Sequence, residues 1–261
     1  MDLFALVQNQ VGLFLLIFVR VSGIFTTAPV FGARNVPKVI KAGMSLVFAI
    51  ILLPALSQQP ITIPGSFFLY IALVIKEYLV GLIIGFAASM IFSAVQMAGQ
   101  LIDTQIGYGM VNVLDPLAGQ QVPLIGNFQY ILALMVFLAI NGHYMIISGL
   151  MASFQIVPVT HVAFHATLPV LFINMIISFY IIAFKISLPV VATLLLLDVG
   201  MGILARTMPQ MNIFIVGMPA KIFVGLFILS ISMPFFVFLI EVLFNGMYAN
   251  LNQVMQQFMP E

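Results

Sequence analysis

The sequence predicts an all-α membrane protein of about six long, kinked hydrophobic helices or helical hairpins, wound into a shared assembly. Three observations carry that expectation. Of 261 residues, 63% are hydrophobic and 6% charged, and the mean hydropathy is +1.24; a soluble domain carries charge on nearer a quarter of its residues. The apolar residues fall in runs long enough to cross a bilayer, which takes about 20 residues. Six of the few charges nevertheless stand inside or against those runs: Arg20, Lys76, Glu77, Lys185, Asp198 and Glu241. An ionisable group in hydrocarbon costs several kcal/mol, so it faces a bundle interior, a partner or water. Simple lipid anchors do not carry such charges.

The six segments run over 3–31, 39–56, 67–99, 129–155, 168–198 and 213–245. As one helix the third is about 50 Å long, against roughly 30 Å of hydrocarbon. Helices of that length tilt, kink, fold back or leave the bilayer. Pro189 and Pro234 fall inside the fifth and sixth segments, where each removes a backbone hydrogen bond and is expected to bend the helix. The first segment is expected to stay in the mature protein. Asp2 stands where a signal peptide carries a basic region, and no small-residue cleavage site follows the first run. With no heptad repeat, longer period or low-complexity tail, 1–261 reads as a single domain.

The connections differ in charge. The first (32–38) holds Arg34 and Lys38, with Lys41 beyond it; the fifth (199–212) holds Arg206; the second and fourth have no Lys or Arg. Lys and Arg therefore collect in alternate loops. The positive-inside rule then places the Arg34 and Arg206 loops in the cytoplasm and the N-terminus outside, a parity that any hairpin segment would change. The net charge of +1, without a basic face, gives no basis for nucleic-acid binding. The absence of cysteine excludes disulfides and thiolate-held metals.

The third connection (100–128) is the longest, QLIDTQIGYGMVNVLDPLAGQQVPLIGNF. Gly107, Gly109 and Gly119 permit unusual backbone angles, and Asp115-Pro116 is a turn-initiating pair. A solvated surface loop is one reading. The many apolar residues, Ile106, Met110, Val111, Val113, Leu114 and Leu117 among them, favour the other: a re-entrant segment that plugs or lines a pore. The plug residues on this reading are Ile106, Gly107, Tyr108, Gly109, Met110, Val111, Asn112, Val113, Leu114, Asp115 and Pro116. The run Ile106-Gly107-Tyr108-Gly109 is a poor match to a potassium filter, because Gln105 holds the place of the required threonine.

Gly81 and Gly85, extended by Ala88, form a small-residue face for close helix packing. Lys76 and Glu77 are adjacent on a helix and so point to different partners. Lys185 and Asp198 lie about 20 Å apart along one helix and are not expected to pair. Asp103, Arg206 and Lys221 join Arg20, Lys76, Glu77, Lys185, Asp198 and Glu241 as charges expected to be buried or to face a partner. His161 and His165 share i,i+4 spacing, but no carboxylate or cysteine neighbours them, so a solvated pair is favoured over a metal site and no cofactor is expected. Met201, Met208, Met211 and Met218 cluster around Pro209 and Pro219, as core filler or as a pliable seal. No nucleophile elbow, zinc-protease helix, phosphate loop or kinase signature is present, so an enzyme is not expected.

The stretch DVGMGILARTMPQMNIFIVGMPAKI (198–222) resembles the signature of the flagellar biosynthesis protein FliR family, whose virulence counterparts are of the SctT type. RVSGIFTTAPVFG (20–32), PKVIKAG (37–43), KEYLVGLIIGFAA (76–88), AGQLIDTQIGYGM (98–110) and NGHYMIISG (141–149) fit the same family. The PQMNIFIVGMP wording favours the flagellar branch. The resemblance implies a non-enzymatic export-gate subunit of the bacterial inner membrane and flagellar basal body. It implies assembly with FliP-like and FliQ-like membrane subunits, beside FlhB-like and FlhA-like components, around a route for unfolded protein cargo. It also implies that much of the assembled gate is lifted out of the bilayer plane and that the pore-closing loop maps onto 106–122. A small-molecule secondary transporter and a purely structural scaffold are the competing readings; no inverted repeat supports the transporter.

Overall fold

A computed structural model describes residues 3–33, 35–57, 64, 66–108, 123–208, 210 and 212–259. The described residues are helical with no strand: α1 (Leu3–Thr27), α2 (Lys38–Leu56), α3 (Phe67–Ile106), α4 (Leu124–Ala139), α5 (Gly142–Ile156), α6 (Leu168–Thr207), α7 (Ile213–Asn245) and α8 (Met247–Gln256). Five stretches are long and apolar enough to cross a membrane: 9–27, 38–56, 67–106, 168–207 and 215–256. A sixth is added if α4 and α5 count as one broken span.

Four segment boundaries are corrected. The segment expected at 129–155 is two helices, because Asn141 adopts a left-handed φ of 59° and Gly142 starts α5 afresh. Asparagine tolerates that conformation where most residues do not. The third and fifth segments run on as helix to Ile106 and Thr207, so Asp103, Gln105 and Ile106 are helical rather than part of a loop beginning at 100. The loop's far boundary moves as well, since α4 begins at Leu124. The sixth segment is followed by α8, an amphipathic helix whose buried face is Met247, Leu251, Val254 and Met255. It is more polar than α7, so the apolar run read from the sequence stops before it. The helices continue through Pro54, Pro189, Pro219 and Pro234.

The chain divides into two compact units, one of residues 1–90, 141–175 and 245–261, the other of residues 91–140 and 176–244. In the first, α1 packs on α2 and on the start of α3, and α5 packs on α8. Its core includes Leu16, Ile17, Val21, Ile24, Val80, Ile84, Leu150 and Phe154. Phe25 lies edge-on to Phe31 and tilted against Phe48, with ring centroids 5.0 and 5.3 Å apart. The segment after α8 is held to 163–167: the Ala163 N–H donates to the Phe258 carbonyl at 3.2 Å, and the Thr167 hydroxyl donates to Gln257 Oε1 at 2.8 Å. The second unit is built on Ile102, Ile106, Ile125, Val190, Leu194 and Leu229, with Phe92, Phe137 and Phe244 in mutual ring contact.

Candidate functional site

In the first unit, Arg20 of α1 and Glu77 of α3 are both fully buried and ion-paired, Nε to Oε2, at 2.5 Å. Burying a charge is costly, and the cost falls as its donors and acceptors find partners. Arg20 Nη1 donates to the carbonyls of Ser153 and Val157 at 2.9 and 2.7 Å, where α5 ends, while Nη2 has no hydrogen-bond partner among the described residues. Its guanidinium carbon lies 4.6 Å from the centre of the Phe154 ring, a cation–π position. The other carboxylate oxygen of Glu77 accepts the backbone N–H of Thr160 at 3.1 Å. Thr160 has φ 75°, a conformation a β-branched residue rarely keeps without support. Two charges thus fix two helices, the end of a third and a strained turn.

Small residues let α1 and α3 come close enough for this. A Cβ at Gly23 would stand 2.8 Å from the Tyr78 carbonyl oxygen and 3.0 Å from the Leu82 nitrogen. A Cβ at Gly81 would overlap the Arg20 carbonyl oxygen, and one at Gly85 the Thr27 hydroxyl. Lys76 is half-buried without an ion-pair partner among the described residues, while its neighbour Glu77 pairs with Arg20.

In the second unit, Asp103 ends one helix and starts another. Its carbonyl accepts the N–H groups of Gly107 and Tyr108 at 3.2 and 3.1 Å. Gly107, at φ 102°, supplies the left-handed residue that stops α3. The Asp103 carboxylate accepts the N–H groups of Ile125 and Gly126 at 3.1 Å. These belong to the first turn of α4, whose donors have no partner within the helix, and a carboxylate there also complements the helix dipole. Pro123, at the cap position, has no side-chain acceptor to offer, so the cap comes from α3. The approach depends on Gly99, where a Cβ would overlap the Gly126 backbone.

Next to the end of α3 lies a cavity of about 380 Å³ lined by Thr104, Gln105, Ile106, Gly107, Asp198, Met201, Gly202, Ala205, Gly217, Met218 and Lys221. Within it Lys221 of α7 and Asp198 of α6 are ion-paired at 2.5 Å, and Gln105 donates to the other Asp198 oxygen at 3.2 Å. Met201 and Met218 from the methionine cluster reach this cavity.

Of the expected plug residues, Ile106 is buried in the core of the second unit, Gly107 forms the α3 stop and Tyr108 packs against that core. Gly109, Met110, Val111, Asn112, Val113, Leu114, Asp115 and Pro116 lie outside the described residues. Lys185, Arg206 and Glu241 are exposed and form no ion pair among the described residues. Sequence reasoning missed the Asp198–Lys221 pair, the capping role of Asp103 and the part played by Thr160. The i,i+22 reach from Asp103 to Ile125 has no periodic signature.

Long apolar helices clamped by buried or half-buried ion pairs define a polytopic membrane protein with polar joints. Residues 11–247 match the family described as bacterial export proteins, family 1. The chain is 42% identical to the flagellar biosynthetic protein FliR of Bacillus subtilis (strain 168), over 84% of this chain and 85% of that one. It is 30% identical to the FliR of Pectobacterium carotovorum, over 95% of each, and 28% identical to that of Escherichia coli (strain K12), over 91% and 90%. The chain belongs to this family of bacterial export proteins and is a membrane component of flagellar protein export.

Proposed function

We propose that this chain is a subunit of the flagellar type III export gate in the bacterial inner membrane, at the flagellar basal body. It assembles there with FliP-like and FliQ-like subunits, beside FlhB-like and FlhA-like components, around a pore for unfolded flagellar proteins. The observation that carries this reading is the match over residues 11–247 together with FliR relatives that align along most of the chain. Those relatives are flagellar, which supports the flagellar over the virulence branch. The Gly-rich segment 106–116 is the pore plug in this proposal. Its apolar content supports that role, and so does the pinning of its flanks by Asp103.

Deletion of residues 108–116 is expected to leave the complex assembled and to make it leak small ions. An intact assembly with unchanged conductance would remove the plug. Gly109→Val is the milder form of the same test. A purely structural role predicts altered assembly without leakage, and a secondary transporter predicts substrate uptake by the chain alone in liposomes.

A further inference from the structure

Lys185 stands where an unpartnered charge is most costly. It lies near the middle of the 40-residue α6, exposed, in a face made of Ile177, Ile181, Phe184 and Leu188, each roughly half exposed. Residues spaced by three and four share one side of a helix, so the ammonium rises from an apolar ridge. No described residue pairs with it. A lysine near a helix end carries its charge to interfacial water, but Lys185 is more than four turns from either end of α6. Glu241 is the useful contrast: it is also exposed, yet only one turn from the end of α7 at Asn245.

A second feature falls on the same residue. Pro189 is inside α6, four residues on, and has no N–H, so the Lys185 carbonyl lacks its ordinary helical donor. One residue therefore presents a cation unpaired among the described residues and a carbonyl without its i+4 donor, on an apolar face. Both are expensive in hydrocarbon, where backbone and charged groups must find partners within protein.

We propose that the Lys185 face of α6 is the seat of a partner membrane helix that carries a carboxylate, Asp or Glu, opposite the ammonium, with apolar residues on Ile181, Phe184 and Leu188. Charge complementarity selects the acidic helix, and the apolar ridge selects a helix rather than a soluble acidic peptide. The inference rests on the export-gate reading, in which the chain assembles with other membrane subunits. The carboxylate fixes the register of the incoming helix, because slipping by one turn leaves two opposite charges unpaired in an apolar seam.

The test is acylation by a membrane-permeant amine reagent, read by mass spectrometry as the ratio of Lys185 to the exposed Lys38. It is applied to the full chain alone and to the complex with its co-expressed membrane partners. The ratio is expected to fall by about tenfold or more in the complex, as for a group open a tenth of the time or less. Lys185→Arg should keep recovery of the complex, Lys185→Glu should lower it, and a basic residue at the partner's carboxylate should restore it. Co-purification with an unprotected Lys185 overturns this inference and leaves the export-gate reading standing. Failure of the wild-type chain to co-purify with any membrane partner overturns both. Equal protection of the chain alone in phosphatidylglycerol nanodiscs, with nothing added by partners, identifies a lipid phosphate as the counter-charge and also overturns it.

Discussion

The carboxylate of Asp103 accepts the backbone N–H of Gly126 at 3.1 Å, while the carbonyl of the same aspartate accepts that of Tyr108 at 3.1 Å. One residue thereby sets where α3 stops and where α4 starts. Asp103→Ala removes the acceptor for two first-turn donors and is expected to cost about 1–2 kcal/mol, the range for a lost cap. Asp103→Asn keeps one acceptor oxygen and should cost less. Denaturant unfolding in detergent, followed by circular dichroism, gives the order of the two variants; Asn equal to or worse than Ala would contradict the capping role.

Arg20 and Glu77 make a sharper case because neither touches solvent. Removing one partner strands a buried charge, and such changes cost about 3–5 kcal/mol. Arg20→Met and Glu77→Gln are each expected to show that loss. The double variant should be less destabilised than the two losses added together, as contacting residues couple. An additive double-mutant cycle would show that the two side chains stabilise the fold independently.

The crossing of α1 and α3 depends on what is missing at Gly81. Gly81→Val places side-chain atoms where the Arg20 carbonyl sits, and the overlap must separate the helices or distort them. Overpacking of this kind costs about 1–3 kcal/mol, occasionally more. Gly43→Ala is the control, since nothing lies within 4 Å of a Cβ there. Folded yield by size-exclusion chromatography should fall for the first and hold for the second.

Asp198 and Lys221 are partly open to solvent, so their contribution to stability is modest, and exposed pairs are worth about 0–1 kcal/mol. Their effect is expected in function. Lys221→Asp puts two acidic groups together and should reduce the motility halo on soft agar. Adding Asp198→Lys restores opposite charges and should recover much of the halo. A swap no better than the single change would mean that the pair's orientation, or another contact of either residue, decides the outcome.

The helices were legible wherever the apolar run is unbroken. Composition and run length located α1, α2 and α7 within a few residues, since an apolar run of that length has few other structures open to it. They failed at 141 and at 100–106 for different reasons. The break at Asn141 is a single backbone angle in an apolar stretch, invisible to hydropathy. Residues 100–106 are polar enough to read as a loop, yet Asp103 and Gln105 are helical because their side chains are satisfied by α4 and α6. Tertiary partners overrode local preference. The same reason hid the sites: Arg20, Glu77 and Asp198 stood out as charges in apolar runs, but which charge meets which is set by the crossing of helices, and only the small faces at Gly81 and Gly85 hinted at one crossing.

The guanidinium of Arg20 also bears on how the polypeptide enters its membrane. Everything that neutralises it, Glu77, the carbonyls of Ser153 and Val157, and the Phe154 ring, is made later by the ribosome. Insertion of a lone arginine at the centre of a span costs roughly 2.5–3.5 kcal/mol on translocon scales. The nascent α1 is therefore a reluctant guest in lipid until at least residue 77 has emerged. Its commitment to the bilayer waits on the synthesis of α3, when the chain can supply its own counter-ion.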